Sequence, residues 1–135
     1  MRVLVTGSRD WRGKAVVWEA LSDVAAHSSD PLDEMVVVHG NCPTGADAIA
    51  DLWAVDHDLD PERHPANWLL HGRAAGLRRN TQMVRAGADI CLAFSGPCRK
   101  DTCPVLRLHG SHGTQDAIDK ARRAGIPVTI FKEGW

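Results

Sequence analysis

Two cysteines and two histidines fall within 15 residues, in the spacing Cys98-x4-Cys103-x5-His109-x2-His112. Thiolate sulfur and imidazole nitrogen in that number are the donors of a tetrahedral structural zinc site, although the spacing is not that of a standard finger. An ion would also account for order in the 18-residue loop 95–112, because connections of that length seldom hold together unaided. The competing reading is four residues with no shared ion, with His112 turned toward a ligand instead. Cys42, just after a strand, and Cys91, inside one, read as ordinary buried or half-buried thiols.

A second group of residues suits a phosphate. Thr6-Gly7-Ser8-Arg9-Asp10, then Gly40 with Thr44-Gly45-Ala46-Asp47, then Gly110-Ser111-His112-Gly113-Thr114 each combine glycine with small polar side chains. Glycine lets a backbone approach a ligand closely, and a helix N-terminus offers N–H groups without partners inside the helix. Between His71 and Arg85 there are four arginines (Arg73, Arg78, Arg79, Arg85) and no acid, whereas Asp47 to Glu62 holds six acids and no Lys or Arg. Neither GxGxxG nor GxxxxGK[ST] occurs, which argues against a dinucleotide dehydrogenase and a P-loop NTPase.

The elements that must position these residues alternate in hydrophobic period. Val3-Leu4-Val5, Met35 to Val38, Ile90 to Phe94 and Val128 to Phe131 are short continuous apolar runs, and a weaker strand is expected near Arg63-His64. Helical spacing appears over about residues 12 to 27, at Ile49, Leu52 and Trp53, over His71 to Ala86 with Gly87 as its C-terminal cap, and over Gly113 to Ala124. Strands that are apolar throughout and alternate with helices imply a parallel sheet of about five strands covered on both faces, a three-layer α/β domain. Ligands of such sheets bind beyond the carboxyl ends of the strands, where the strand order reverses. All three glycine turns fall on that edge.

The chain has 135 residues, 44% hydrophobic and 24% charged, with a formal net charge of −1. That fits one globular domain, residues 1–135, and argues against a dedicated binder of nucleic acid or anionic membrane. Apolar runs of about five residues cannot cross a bilayer, and a strand beginning at Val3 leaves no room for a signal peptide. The expected compartment is the cytoplasm, where cysteines stay reduced or bind metal.

Read together, Val3 to Trp11, His39-Gly40 with Gly45-Ala46-Asp47, Pro65-Ala66-Asn67-Trp68, and His71 to Gly76 through Arg79-Asn80 and Met83 resemble the YspA/YpsA-related branch of the SLOG superfamily. The resemblance covers nearly the whole chain apart from the loop 95–109. It implies a Rossmann-like domain, with strands ordered 3-2-1-4-5, that binds a nucleotide or nucleotide-derived small molecule and assembles as a homodimer or higher homo-oligomer. The superfamily also contains LOG-type phosphoribohydrolases and the DNA-processing protein DprA. Their Arg-Lys-x-x-x-Met-like segment matches Arg79-Asn80 with Met83, which implies a phosphate- or ribose-side role for Arg79. Their Gly-Gly-x-Gly-Thr-x-x-Glu loop matches 110–117, but Ala117 stands where the catalytic glutamate would be, and Asp116 is a carboxylate one residue early.

Three functions follow from these residues. The first is ligand binding at the strand edge, for sensing or processing. In it Gly7, Ser8, Arg9 and the Gly110 to Thr114 turn hold phosphate, Arg79 adds charge, and Asp47 and Asn80 orient ribose or base; Asp10, Gly40, Gly45 and Trp68 line the same edge. The second is a nucleotide N-glycosidase or phosphoribohydrolase using Arg79 and Asp116, and the third a DprA-like single-stranded DNA binder using the basic stretch. Structural alternatives stand beside them. Arg9 and Asp10 suit a local ion pair or helix cap, Asp47 suits the helix dipole, and Trp68 suits a lid over the core. Arg78 and Arg79 point about 100° apart, so one of them faces the site. His39 and His71 suit either proton transfer or bonds to loop backbone.

Overall fold

The structure is a computed structural model that describes residues 1–105 and 109–135. The apolar runs form a five-stranded sheet, β1 (Arg2–Gly7), β2 (Val36–His39), β3 (Glu62–Arg63), β4 (Ile90–Ser95) and β5 (Val128–Lys132). Its order is β3-β2-β1-β4-β5 and every pairing is parallel, with Val3 opposite Val37 and Ile90, and Leu92 opposite Thr129. Helices α1 (Lys14–His27) and α2 (Gly45–Asp56) follow β1 and β2. The short α3 (Trp68–His71), α4 (Ala75–Ala86) and α5 (His112–Arg123) complete the helices. Two-residue alternation splits the strands between two cores. Val3, Val5, Val37, Leu92 and Phe94 meet Val17, Leu21, Ala50 and Trp53 of α1 and α2. Leu4, Val38 and Cys91 meet Met83 of α4 and Ala121 of α5. Both faces are covered, which is why the strands read as unbroken apolar runs.

Strand order reverses between β1 and β4, and it is at such a reversal, beyond the carboxyl ends of the strands, that α/β sheets of this kind carry their ligands. No helix among the described residues is long and apolar enough to cross a membrane.

One helix differs from the expected pattern. The segment 71–86 is not a single helix: α3 starts earlier, at Trp68, and Gly72 ends it at φ 54°, ψ −130°. A 3₁₀ turn, Gly72–Ala74, then leads into α4. That positive φ is open to glycine, and the Asn67 side chain accepts the Leu70 N–H at 3.0 Å to start α3 ahead of the break. Gly87 closes α4 at φ 89°, as its position implied.

Away from the crevice, Arg2 grips the sheet. Its guanidinium donates to both carboxylate oxygens of Glu62, at 3.0 and 2.8 Å, and through Nε to the Gly87 carbonyl at 2.9 Å. His64 Nε2 sits 2.7 Å from the same carboxylate. The hydrogen bonds from Arg2, and then from His64, hold the Glu62 carboxyl down at about 2, against an ordinary 4.5. A carboxylate whose pKa is depressed by folding stabilises the native state above its unfolded value and loses that contribution as pH falls toward the folded one. Thermal unfolding of Glu62→Gln should therefore fall below wild type at about pH 6, and the gap should narrow as pH drops from 4.5 toward 2. A gap independent of pH over that range would show that Glu62 acts by packing alone.

Candidate functional site

The loop after β1 is fixed by its own sequence. Gly7 lies so close to its neighbours that a Cβ there would stand 2.7 Å from the Phe94 carbonyl and closer still to the Ala46 Cβ. This contact lets the Ser8 N–H donate to the Phe94 carbonyl at 2.9 Å, and the Ser8 hydroxyl turn toward the loop after β4. There it accepts the Gly96 N–H at 2.7 Å and meets the Ser111 hydroxyl at 3.0 Å. Ser111 in turn donates to Thr114 Oγ1 at 2.8 Å. Since the Ser111 proton is used on Thr114, the Ser8 proton must be the one between Ser8 and Ser111. A directed chain of three hydroxyls thus runs from β1 to the first turn of α5, across the point where the sheet changes direction.

Ser111 is the N-cap residue of α5, and it has no side-chain bond to the helix backbone. The opening N–H groups of an α-helix lack intrahelical partners and carry its partial positive charge. Gly113 stands in this first turn with open space where a Cβ would be.

The glycines of the turn after β2 serve packing. Gly45, at φ 73°, admits the backbone of the β1 loop: a Cβ there would stand 2.6 Å from Arg9 Cα. The N–H of Ala46, in the first turn of α2, goes to the Ser8 carbonyl at 3.3 Å, and Thr44 Oγ1 donates to the Arg9 carbonyl at 2.7 Å. The α2 N-terminus therefore holds the β1 loop. Gly40 makes room for Arg79, whose Nη1 donates to the Gly40 carbonyl.

Arg79 turns inward while Arg78 stays exposed, so one of the pair faces the strand edge. Arg79 Nε donates to Asn80 Oδ1 at 3.0 Å. Asn80 Nδ2 then reaches the Gly113 carbonyl at 3.2 Å and Asp116 Oδ2 at 3.0 Å. The buried Asn80 thus links α4 to the first turn of α5. Trp68, 54% exposed, brings its ring to within 3.6 Å of where a Gly76 Cβ would be, and Arg79 Nη2 lies 3.9 Å from the same point. An exposed aromatic ring and an arginine therefore share one glycine. Trp68 is not a lid over the core.

Several candidate residues have structural partners. Asp47 is 6% exposed and its Oδ2 accepts the Cys42 N–H at 3.3 Å. Burial pushes its carboxyl above the usual range, with His39, the Cys42 N–H and Arg79 pulling the other way. It shapes the 40–42 turn from inside. His39 is fully buried. Its Nδ1 accepts the Asn41 N–H at 3.0 Å, so Nε2 carries the proton given to Asp51 Oδ2 at 2.7 Å. That imidazole ties strand to helix. Asp10 pairs with Arg99 at 2.7 Å, and Arg9 is exposed. Asp116 Oδ2 also meets Lys120 Nζ at 2.9 Å, and Ala117 is buried in the core.

Cys98, Cys103, His109 and His112 come together at the mouth of the same loop, with all four ligand atoms within 4.8 Å of one another. The base of the loop is pinned by an isolated antiparallel bridge between Pro97 and Gly110. Cys42 is half-buried, and Cys91 is buried with its thiol pushed up to about 12 by desolvation.

Two supports of the site lay outside sequence reasoning. Glu133, past the last strand, accepts the N–H groups of Arg12 and Gly13, both at 2.7 Å, anchoring the start of α1. Trp135 lies over Gly110 and donates Nε1–H to the Ser95 carbonyl at 2.8 Å. Both act across more than 20 residues of chain, beyond any local periodicity.

The glycines separate packing from positioning. Gly40→Ala should displace only the flexible end of Arg79 and cost no more than about 1 kcal/mol, while Gly7→Ala, which meets backbone, should cost about 1–3 kcal/mol. Urea unfolding midpoints of the two variants check this, and equal losses would contradict it.

Residues 1–71 match the model of the YAcAr family, the YspA, cpYpsA-related SLOG family. The chain is also 46% identical over 135 residues to the Gene 61 protein of Mycobacterium phage D29, covering 96% of this chain and 95% of that protein. A Rossmann-like parallel sheet, a hydroxyl chain at its switch point and these two matches agree, and the chain belongs to the YspA, cpYpsA-related SLOG family.

Proposed function

We propose that the crevice between the β1 and β4 loops binds a nucleotide or nucleotide-derived small molecule through its phosphate. The observation that carries this reading is the hydroxyl chain Ser8–Ser111–Thr114 at the N-terminus of α5, on the sheet edge that Arg79 also reaches. Hydroxyls can turn their protons toward phosphate oxygens, and the helix N-terminus adds unpaired N–H groups and partial positive charge. A guanidinium has five N–H donors, so the bonds Arg79 makes to Gly40 and Asn80 leave others for an anion. Trp68 supplies a ring face beside Arg79 for stacking on a base. Membership of the SLOG family supports a nucleotide-related ligand.

Binding without turnover is favoured over N-glycoside hydrolysis. Asp116, the carboxylate beside the first turn, is engaged by Asn80 and Lys120, and the residue after it is the buried Ala117. A general base needs a carboxylate free to accept a proton near the bond that breaks. A DNA-binding surface is less favoured still, since Arg79 is turned in and the net charge is −1.

Calorimetry against adenosine, AMP, ribose 5-phosphate, ADP-ribose and cyclic nucleotides tests the reading. Phosphorylated compounds should bind more tightly than adenosine, and Arg79→Ala should weaken them by about tenfold or more, the cost of one charge-assisted hydrogen bond. If nothing in the panel binds more tightly than about 1 mM, or if Arg79→Ala changes nothing, the crevice is not a phosphate site.

A further inference from the structure

We infer that Cys98, Cys103, His109 and His112 form a structural zinc site that closes the loop after β4 and fixes the start of α5. Four of the six donor–donor separations match the ion, and all six lie within 4.8 Å. Zinc bonded at about 2.3 Å to sulfur and about 2.0–2.1 Å to nitrogen in a tetrahedron spaces S···N pairs about 3.6 Å apart and N···N pairs about 3.3 Å apart. Here Cys98 Sγ lies 3.5 Å from His112 Nε2, and Cys103 Sγ lies 3.5 Å from His109 Nε2 and 3.3 Å from His112 Nε2. The two Nε2 atoms are 3.2 Å apart.

Hydrogen bonding alone does not explain the arrangement. A ring nitrogen has one in-plane direction, holding either a lone pair or a proton. His112 Nε2 nonetheless has three close neighbours, Cys98 Sγ, Cys103 Sγ and His109 Nε2. One hydrogen bond can serve one of them; a cation at the centre serves all four donors. Loading exchanges two thiol protons for one Zn²⁺, so two thiolates, two neutral imidazoles and the dication sum to zero charge. Four protein ligands complete the tetrahedron and leave no position for water or substrate, which makes the site structural.

The rest of the loop is built for a crosslink. Residues 99–102 and 104–105 are exposed, so an apolar core cannot hold this segment. Backbone bonds run from Cys98 N to the His109 carbonyl at 2.7 Å, from Cys103 N to the Lys100 carbonyl at 3.1 Å, and from Ser111 N to the Gly96 carbonyl at 3.0 Å. They bring the ligand pairs together from both arms. His112 is the first residue of α5 and directly follows Ser111, so the ion would lock the hydroxyl chain from outside. The zinc reading stands on the four donors alone, whether or not the crevice takes a phosphate.

The test is metal content and cobalt spectroscopy on the full chain, purified under reducing conditions. Elemental analysis should give about one zinc per chain, and Co²⁺ added after chelation should give the intense visible bands of a tetrahedral thiolate site. Cys98→Ser and Cys103→Ser should each lower zinc content at least about tenfold, while Cys42→Ser should leave it unchanged. Limited trypsin digestion gives a second readout: cleavage after Arg99 and Lys100 should be slow in the zinc-loaded protein and at least about tenfold faster after chelation. Absence of zinc together with absence of cobalt bands in the wild-type chain would overturn the proposal. So would a Cys98–Cys103 disulfide under reducing conditions, or zinc content unchanged in the Cys98→Ser and Cys103→Ser variants.

Discussion

The Ser8 hydroxyl, 4% exposed, is the point on which the two halves of the sheet meet. It accepts the Gly96 N–H and faces Ser111, so one buried oxygen joins the loop after β1 to both ends of the loop after β4. Such a group cannot be left unpaired without a desolvation cost of about 1–3 kcal/mol, and its partners are correspondingly fixed. Everything around it serves that placement. Gly7 allows the approach of Phe94 and Ala46, the α2 N-terminus holds the Ser8 carbonyl, and Trp11 packs edge-on against Phe94 with ring centroids 5.5 Å apart. The crevice is therefore rigid on the β1 side and depends on the longer β4 loop for its other wall.

That wall is assembled from three directions. The Pro97–Gly110 bridge closes its base, Trp135 covers Gly110, and Asn80 reaches over from α4 to the Gly113 carbonyl. Arg99 ties the loop's exposed arm to Asp10. A pair with both partners so exposed is worth little by itself, about 0–1 kcal/mol. A zinc ion on the proposed Cys98, Cys103, His109 and His112 site would hold this arm far more firmly, directly beside the hydroxyl chain.

Much of the architecture was legible because it rests on local pattern. Val3-Leu4-Val5 and Met35 to Val38 read as strands buried on both faces and fall on β1 and β2, with Met35 just ahead of β2, and parallel order follows from the helices between them. The Cys/His spacing and the inward turn of Arg79 were also readable. The break at Gly72 was not, because a glycine inside a helical pattern is compatible with continuation; only the φ of 54° decides it. Three glycine turns looked alike in sequence, but Gly7 packs against Phe94 and Ala46, and Gly40 and Gly45 of the second turn admit Arg79 and the Arg9 backbone, which leaves Gly113 of the α5 turn as the open position. In sequence Asp47 suits a ribose or base contact or a partner of the helix dipole, yet it is buried and the 40–42 turn folds over it. The opposed acidic and basic stretches meet at one point, where Arg79 lies near Asp47.

On the proposed reading, the open N-terminus of α5 and its hydroxyl chain are where this protein meets its ligand. Amide chemical-shift mapping on the ¹⁵N-labelled chain with AMP and ribose 5-phosphate addresses it directly. The account predicts the largest shifts at Ser8, Gly96 and Ser111 to Thr114, with smaller ones near Arg79 and Trp68. Shifts centred on the opposite edge of the sheet, around Arg2, Glu62 and Gly87, with none at Ser8 or Ser111, would contradict it.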